Sequence, residues 1–264
     1  MTPANRLSLS RNSQLRSYRL AGTQRCLAAV LGGMLLSAGP QVAYGLCLGE
    51  LERSKDTRQR IDQEWPLRSS GDEATQYIQK LGVRLARYST GGDTIPWRFF
   101  VVRNLSPNAF SIGAGTVYVT EGAITFARNE SELAAIIAHE LGHELAGHFC
   151  SQATYSGSPG LFDIFSAAPP SPQLQEVGAG SVRQTIDPAK EEQADQIAIS
   201  ILQAAGYSPL ALLQVARRLP SGGETHLLDP RRIQSLERIL DGYRDVPALP
   251  DSEDFKEVRR ELMR

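Results

Sequence analysis

Residues 139–143 read His139-Glu140-Leu141-Gly142-His143, two imidazoles four positions apart with a carboxylate directly after the first. On a helix, positions four apart differ by about 40° in direction and roughly 6 Å in height, so both imidazoles can reach one metal ion. Glu140 is turned about 100° from His139. There its carboxylate can meet a water held by the ion and take its proton. The motif therefore demands a helix, and its flanks supply one. Asn129-Glu130-Ser131-Glu132 opens it, with Ser131 as the expected cap and early acids suited to the positive end of the helix dipole. Leu133, Ile136, Ile137 and Leu141 follow, dense enough to predict a buried helix running to about His148. A match this short also arises by chance, as two surface histidines on an ordinary helix. The histidine distribution argues against that, because of 4 in the chain His139, His143 and His148 fall within one short stretch.

Two imidazoles leave a four-coordinate ion short of a protein ligand. The metzincin solution needs glycine at position 146 and histidine at 149, where this chain has Ala146 and Phe149. A downstream helix starting near Pro188 instead offers Lys190-Glu191-Glu192-Gln193-Ala194-Asp195. Glu191 and Asp195 share a face, so Glu191 can bind the metal while Asp195 holds a ligand histidine from behind. Glu192 is the competing ligand, and a solvated charge cluster is the plain alternative. Two imidazoles, one carboxylate and an open position favour zinc, one ion per chain.

The surrounding pattern is α+β: mainly helical, with a small sheet beside the motif helix. Tyr77, Ile78, Leu81, Leu85 and Tyr88 form an amphipathic stripe over Glu73 to Tyr88. Ile95 to Arg103 and Ala109 to Thr120 are β-type segments separated by turn residues, and Val117 to Thr120 is the expected edge for aligning an extended substrate. Helices are expected over Pro188 to Ala205, Leu210 to Arg218 and Pro230 to Tyr243. The expected boundaries are a signal or anchor over 1–45, a helical segment over 46–72, a metallopeptidase domain over 73–243 and a tail over 244–264. Residues 151–187, rich in Ser, Gly, Pro and Gln, read as a flexible loop or lid.

No acidic residue precedes Glu50, while Arg6, Arg11, Arg16, Arg19 and Arg25 lead into the apolar run Cys26 to Ala38. That pattern predicts export by a signal cleaved after Gly45, with an uncleaved anchor or an organelle transit peptide as alternatives. The run is shorter than the ~18–20 residues of a membrane-spanning helix. Export would leave Cys47 and Cys150, able to form one disulfide but not placed together by the sequence. A formal net charge of −1 gives no field that would gather nucleic acid.

Asn108-Ala109-Phe110, Gly113-Ala114-Gly115, Glu130-Ser131-Glu132-Leu133, His139 to His143 and Glu191 to Asp195 occur in an order that resembles the CAAX prenyl protease and HtpX-like metallopeptidases. These are gluzincins, in which a downstream E-x-x-A-D helix supplies the third zinc ligand. The resemblance covers about Glu73 to Ile239 and implies Glu191 as that ligand, with the N-A-F segment and glycine turn beside the cleft. A family T-H-P segment followed by R-I corresponds to Thr225-His226-Leu227 and Arg232-Ile233, implying that His226 and Arg232 face the zinc and stabilise the substrate carbonyl. Leu227 departs from the family proline. So does the lack of any long apolar run beyond the N-terminus, which points to the soluble or singly anchored envelope members. The expected function is zinc-dependent cleavage of unfolded or misassembled polypeptides outside the cytoplasm, with Glu140 as base. A latent, chaperone-like zinc module is the alternative, its open position blocked by the 151–187 loop or by His226. Partners are polypeptides, and the N-terminal segment is the possible membrane attachment.

Overall fold

Three short strands carry apolar side chains on both faces, so the sheet they form has to be covered twice. In the computed structural model, which describes residues 47, 49–150, 188–218, 230–244 and 246–264, these are β1 (Arg98–Val102), β2 (Ala109–Ser111) and β3 (Thr116–Thr120). Their order is β1-β3-β2, with β1 parallel and β2 antiparallel to β3. Phe99, Val101, Ala109, Val117 and Val119 face one core, while Phe100, Val102, Phe110 and Tyr118 face another, the period of two that a strand imposes. The smaller core is closed by Ile61 of α1 (Glu50–Glu64) and the adjacent Trp65. The larger is closed by α2 (Glu73–Ala86), α3 (Glu121–Phe126) and α4 (Glu130–Leu145), followed by α5 (Pro188–Ala205), α6 (Leu210–Arg218), α7 (Pro230–Leu240) and α8 (Glu253–Leu262). The chain is thus α+β, mainly helical with one small sheet. Among the described residues, no helix is long and apolar enough to cross a membrane.

Three expectations change. Val117 to Thr120 is not an edge, because β3 is hydrogen-bonded to a strand on each side. The flanking strand near α4 is β2. Thr120 N donates to Asn108 O and Ile112 N to Thr116 O, so by antiparallel alternation the backbone groups of Ala109 and Ser111 point away from β3. Second, α4 is capped by Asn129, whose side chain accepts from Glu132 N at 2.9 Å, rather than by Ser131. Third, the segment over 244–264 carries helix α8, capped by Ser252, with Phe255 and Val258 buried against the core.

That C-terminal helix fixes the start of the motif helix. The Glu130 carboxylate accepts from Tyr77 Oη at 3.0 Å and from Ser252 N at 2.7 Å, while Asp251 accepts from Glu130 N at 2.8 Å. Arg68 adds a second tie, bonding Asp72, Glu121 and Glu261 at 2.7, 2.6 and 2.9 Å. Both are fans of charge-assisted bonds spanning long sequence separations, which hold the elements in one arrangement.

Candidate metal centre

Helix α4 presents His139 and His143 on one face, and α5 crosses it to bring Glu191 opposite. His139 Nε2 lies 3.1 Å from His143 Nε2, and Glu191 oxygens lie 3.3 Å from each. A tetrahedral ion with bonds of about 2.0–2.1 Å has ligand–ligand edges of about 3.3 Å. The two imidazole nitrogens, with Glu191 Oε2 facing the first and Oε1 the second, are spaced on that scale and form a group that could hold a metal ion. Glu192 takes no part: its carboxylate accepts from Ser235 Oγ on the exposed side.

Each histidine is gripped from behind. Asp195 Oδ1 lies 3.0 Å from His139 Nδ1, and a proton shared there leaves Nε2 as the donor to a metal. Burial alone would depress His139, but bonds to Asp195 and Glu191 lift it to about 9. On the other ring, His148 Nδ1 lies 2.9 Å from His143 Nδ1, and His148 Nε2 lies 3.2 Å from Gln193 Oε1. Burial lowers His143, while burial and the neighbouring His143 push His148 down to about 4. His148 and Gln193 thus orient a ring they were not assigned to. The one sequence signal for it was the third histidine at the end of the helix.

Arg232 is engaged by the carboxylates of α5 and the Nδ1 side of His139. Its Nε and Nη2 donate to the two Asp195 oxygens at 2.7 and 2.6 Å, and Nη1 donates to Glu191 at 2.6 Å. Nη2 is also 3.4 Å from His139 Nδ1, the nitrogen turned away from the metal position. A buried guanidinium must be paired, and on α7 the carboxylates of α5 are what it meets. Burial would raise both acids, but Arg232 and the histidines hold Glu191 well below the usual carboxylate range and lower Asp195. The contacts of Arg232 among the described residues are to Asp195, Glu191 and His139, so it braces the Glu191 carboxylate. His226 and the 151–187 segment lie outside the described residues.

Glu140 stands beside the triad with Oε2 accepting from Ser111 N on β2 at 3.1 Å. Its Oε1 is buried and has no hydrogen-bond partner among the described residues. Burial pushes the carboxyl up to about 8. A buried carboxylate with one oxygen tethered and the other free is equipped to accept and return a proton.

The approach of α5 depends on Gly142, between the two histidines. A Cβ there would stand 2.5 Å from Ala194 O and 2.9 Å from Ala194 Cα, both backbone atoms that cannot rotate away. Gly142→Ala is therefore expected to push α5 outward, costing about 1–3 kcal/mol as overpacking and carrying Glu191 away from the histidines. Metal titration against a competing chelator should show weaker binding, and unchanged affinity would refute the claim.

This helix pair sits inside a recognised sequence unit, since residues 72–240 match the model of peptidase family M48. The chain belongs to peptidase family M48. The matched span takes in α4, Glu191, Asp195 and α7, so the M48 region includes every element that contributes to the triad. Among curated relatives, the beta-barrel assembly-enhancing protease of Escherichia coli (strain K12) is 30% identical over 204 residues, covering 69% of this chain and 42% of the relative. The mitochondrial metalloendopeptidase OMA1 of Schizosaccharomyces pombe is 26% identical over 179 residues, 63% of this chain and 53% of the relative. Metalloprotease YcaL of Escherichia coli (strain K12) is 27% identical over 186 residues, 64% of this chain and 71% of the relative. The chain spans about half the length, or less, of the first two. The family is described as one of peptidases, and the relatives are named as a protease, a metalloendopeptidase and a metalloprotease.

Proposed function

We propose that this M48 peptidase uses one zinc ion, held by His139, His143 and Glu191, to cleave unfolded or misassembled polypeptides outside the cytoplasm. The observation that carries the reading is the pair of imidazole nitrogens 3.1 Å apart with a Glu191 oxygen 3.3 Å from each, and beside them the Glu140 oxygen that has no partner among the described residues. Zinc there supplies a Lewis acid that lowers the pKa of a water toward ~7 and polarises the substrate carbonyl. Glu140 takes the proton of the attacking water and returns it to the leaving amine as the carbon–nitrogen bond breaks. Asp195 keeps His139 in the tautomer a metal needs, His148 braces His143, and Arg232 anchors Glu191. Apart from the Ser111 N–H, which holds Glu140, the backbone groups of Ala109 and Ser111 that point away from β3 give an extended chain a strand edge to pair with, which favours substrates lacking stable structure. His226 remains the candidate carbonyl-stabilising donor on the family resemblance.

Two features support action outside the cytoplasm. One is the basic, then apolar, N-terminal stretch. The other is the Cys47–Cys150 disulfide, its Cα atoms 5.4 Å apart, a link that persists in oxidising compartments. A relative named for enhancing β-barrel assembly fits a role in clearing misassembled proteins. The test is to load the purified chain with zinc and compare an unfolded protein such as casein with a tightly folded one. Cleavage of the unfolded substrate alone, lost on chelation and restored by zinc, is expected. Failure to bind zinc or to cut either substrate would overturn the reading.

A further inference from the structure

Glu144 lies one turn beyond Glu140 on α4 and contributes no donor atom to the triad, yet its carboxylate is buried. Oε1 accepts from Gly113 N at 2.9 Å and Oε2 from Gly115 N at 3.2 Å. The intervening Ala114 N donates at 2.7 Å to Oε1 of a second buried carboxylate, Glu50. Three successive N–H groups therefore converge on two acids. They can do so because Gly113, Ala114 and Gly115 all take left-handed φ values, 88°, 54° and 71°, a curl that turns backbone donors toward an anion. Ala114 is the one non-glycine with positive φ among the described residues. Such a conformation persists only where its surroundings over-determine it.

Glu50 is held in turn. Its Oε2 accepts from Cys47 N at 3.2 Å, and the Cys47–Cys150 disulfide joins the start of α1 to the segment following α4. Ser54 Oγ on the same helix donates to Gly113 O at 2.9 Å, and Arg53 donates to Phe149 O at 3.0 Å. One residue, Ile112, separates this clamped turn from Ser111, whose N–H holds Glu140. Cys47, Glu50 and Ser54 all precede the region matched to the M48 family, which starts at residue 72.

We propose that Glu50 is a positioning residue for Glu140: seated beside Glu144 on the Gly113–Gly115 turn and tethered by the Cys47–Cys150 disulfide, it sets β2 and hence the Ser111 N–H that orients the base. The proposal rests on the reading of Glu140 as base, and it assigns a catalytic task to a helix that carries no catalytic residue. In the turn the acceptor oxygen matters more than the negative charge, since what Glu50 Oε1 meets there is the Ala114 N–H. Glu50→Gln keeps that acceptor and gives up only the bond from Cys47 N, whereas Glu50→Leu removes both.

The experiment measures kcat, KM and zinc content for both variants of the full chain, together with residue-resolved amide hydrogen exchange at Ser111. Expected for Glu50→Leu are a kcat lower by about 10²-fold, as for a base displaced by about 1 Å, an unchanged KM, full zinc content and faster exchange at Ser111. Glu50→Gln, which keeps the acceptor for Ala114 N, should stay much closer to the parent than Glu50→Leu in kcat and Ser111 exchange. Parent-like kcat and Ser111 exchange in Glu50→Leu overturn the proposal, as does a loss confined to zinc content or spread evenly over α4. Should Glu50→Leu not fold, the paired Cys47→Ser, Cys150→Ser variant frees the helix start without removing the acid. Faster Ser111 exchange there supports the proposal, and unchanged exchange overturns it. If the parent protein proves inactive, the reading of Glu140 fails, while the exchange data still decide whether Glu50 governs β2.

Discussion

Glu140→Gln is expected to lower kcat for peptide hydrolysis by about 10²–10⁴-fold, the usual worth of a positioned general base, while the protein keeps its metal. The substitution is nearly isosteric, and a glutamine carbonyl can still accept from Ser111 N, which Glu140 meets at 3.1 Å. What disappears is the basic oxygen that has no partner among the described residues. The triad is untouched, because its donors come from His139, His143 and Glu191. Zinc content by elemental analysis and turnover on an unfolded substrate separate the two effects. An active variant would remove Glu140 from the chemistry, and an inactive variant lacking metal would make it structural.

The second large effect separates two adjacent carboxylates. Glu191→Gln should weaken metal binding by more than about 100-fold, the upper end of what losing an outer-shell partner costs, because here a ligand itself loses its charge. Glutamine at this position still offers Arg232 an oxygen, so the buried guanidinium is not stripped of a partner and folding is preserved. Glu192→Gln should change neither metal affinity nor activity, since Glu192 faces Ser235 on the exposed side. Competition titration with a zinc-sensitive dye reads both. Equal losses in the two variants would mean that the helix start acts only through its collective charge.

Much of this centre could be read before any fold was known, because its hardest constraint is local. The spacing of His139 and His143 places both imidazoles on one face of any helix that forms, and the apolar residues around them ensure that it forms and is buried. The offset between Glu191 and Asp195 puts a ligand and its neighbour on one face of a second helix for the same reason. Strand and helix positions followed from periodicity in the same way, with the end points moving by a few residues. The misses share a cause of their own. Helix α8 shows few apolar residues, and Phe255 and Val258 matter only once the core exists to receive them. The cap moved from Ser131 to Asn129 because either side chain can accept an N–H, and the path of the incoming chain decides between them.

Arg232 shows the limit most clearly. Its number could be tied to the site by resemblance, but the direction of its guanidinium is set by carboxylates on another helix. It turned out to brace Glu191 and Asp195. Glu50 and Glu144 carried no signal at all, since a glutamate in a helix is ordinary until its neighbours in space are known.

The residue order by itself determined the ligand types, their spacing and the helices that bear them, since these depend on backbone geometry repeating within a few residues. The tertiary structure alone placed Glu191 rather than Glu192 beside the two histidines, paired Cys47 with Cys150, turned Arg232 toward Glu191 and Asp195 and laid β2 against Glu140. Those outcomes join residues tens of positions apart, and only packing, with its demand that every buried charge and backbone donor find a partner, selects among the arrangements the chain could otherwise take.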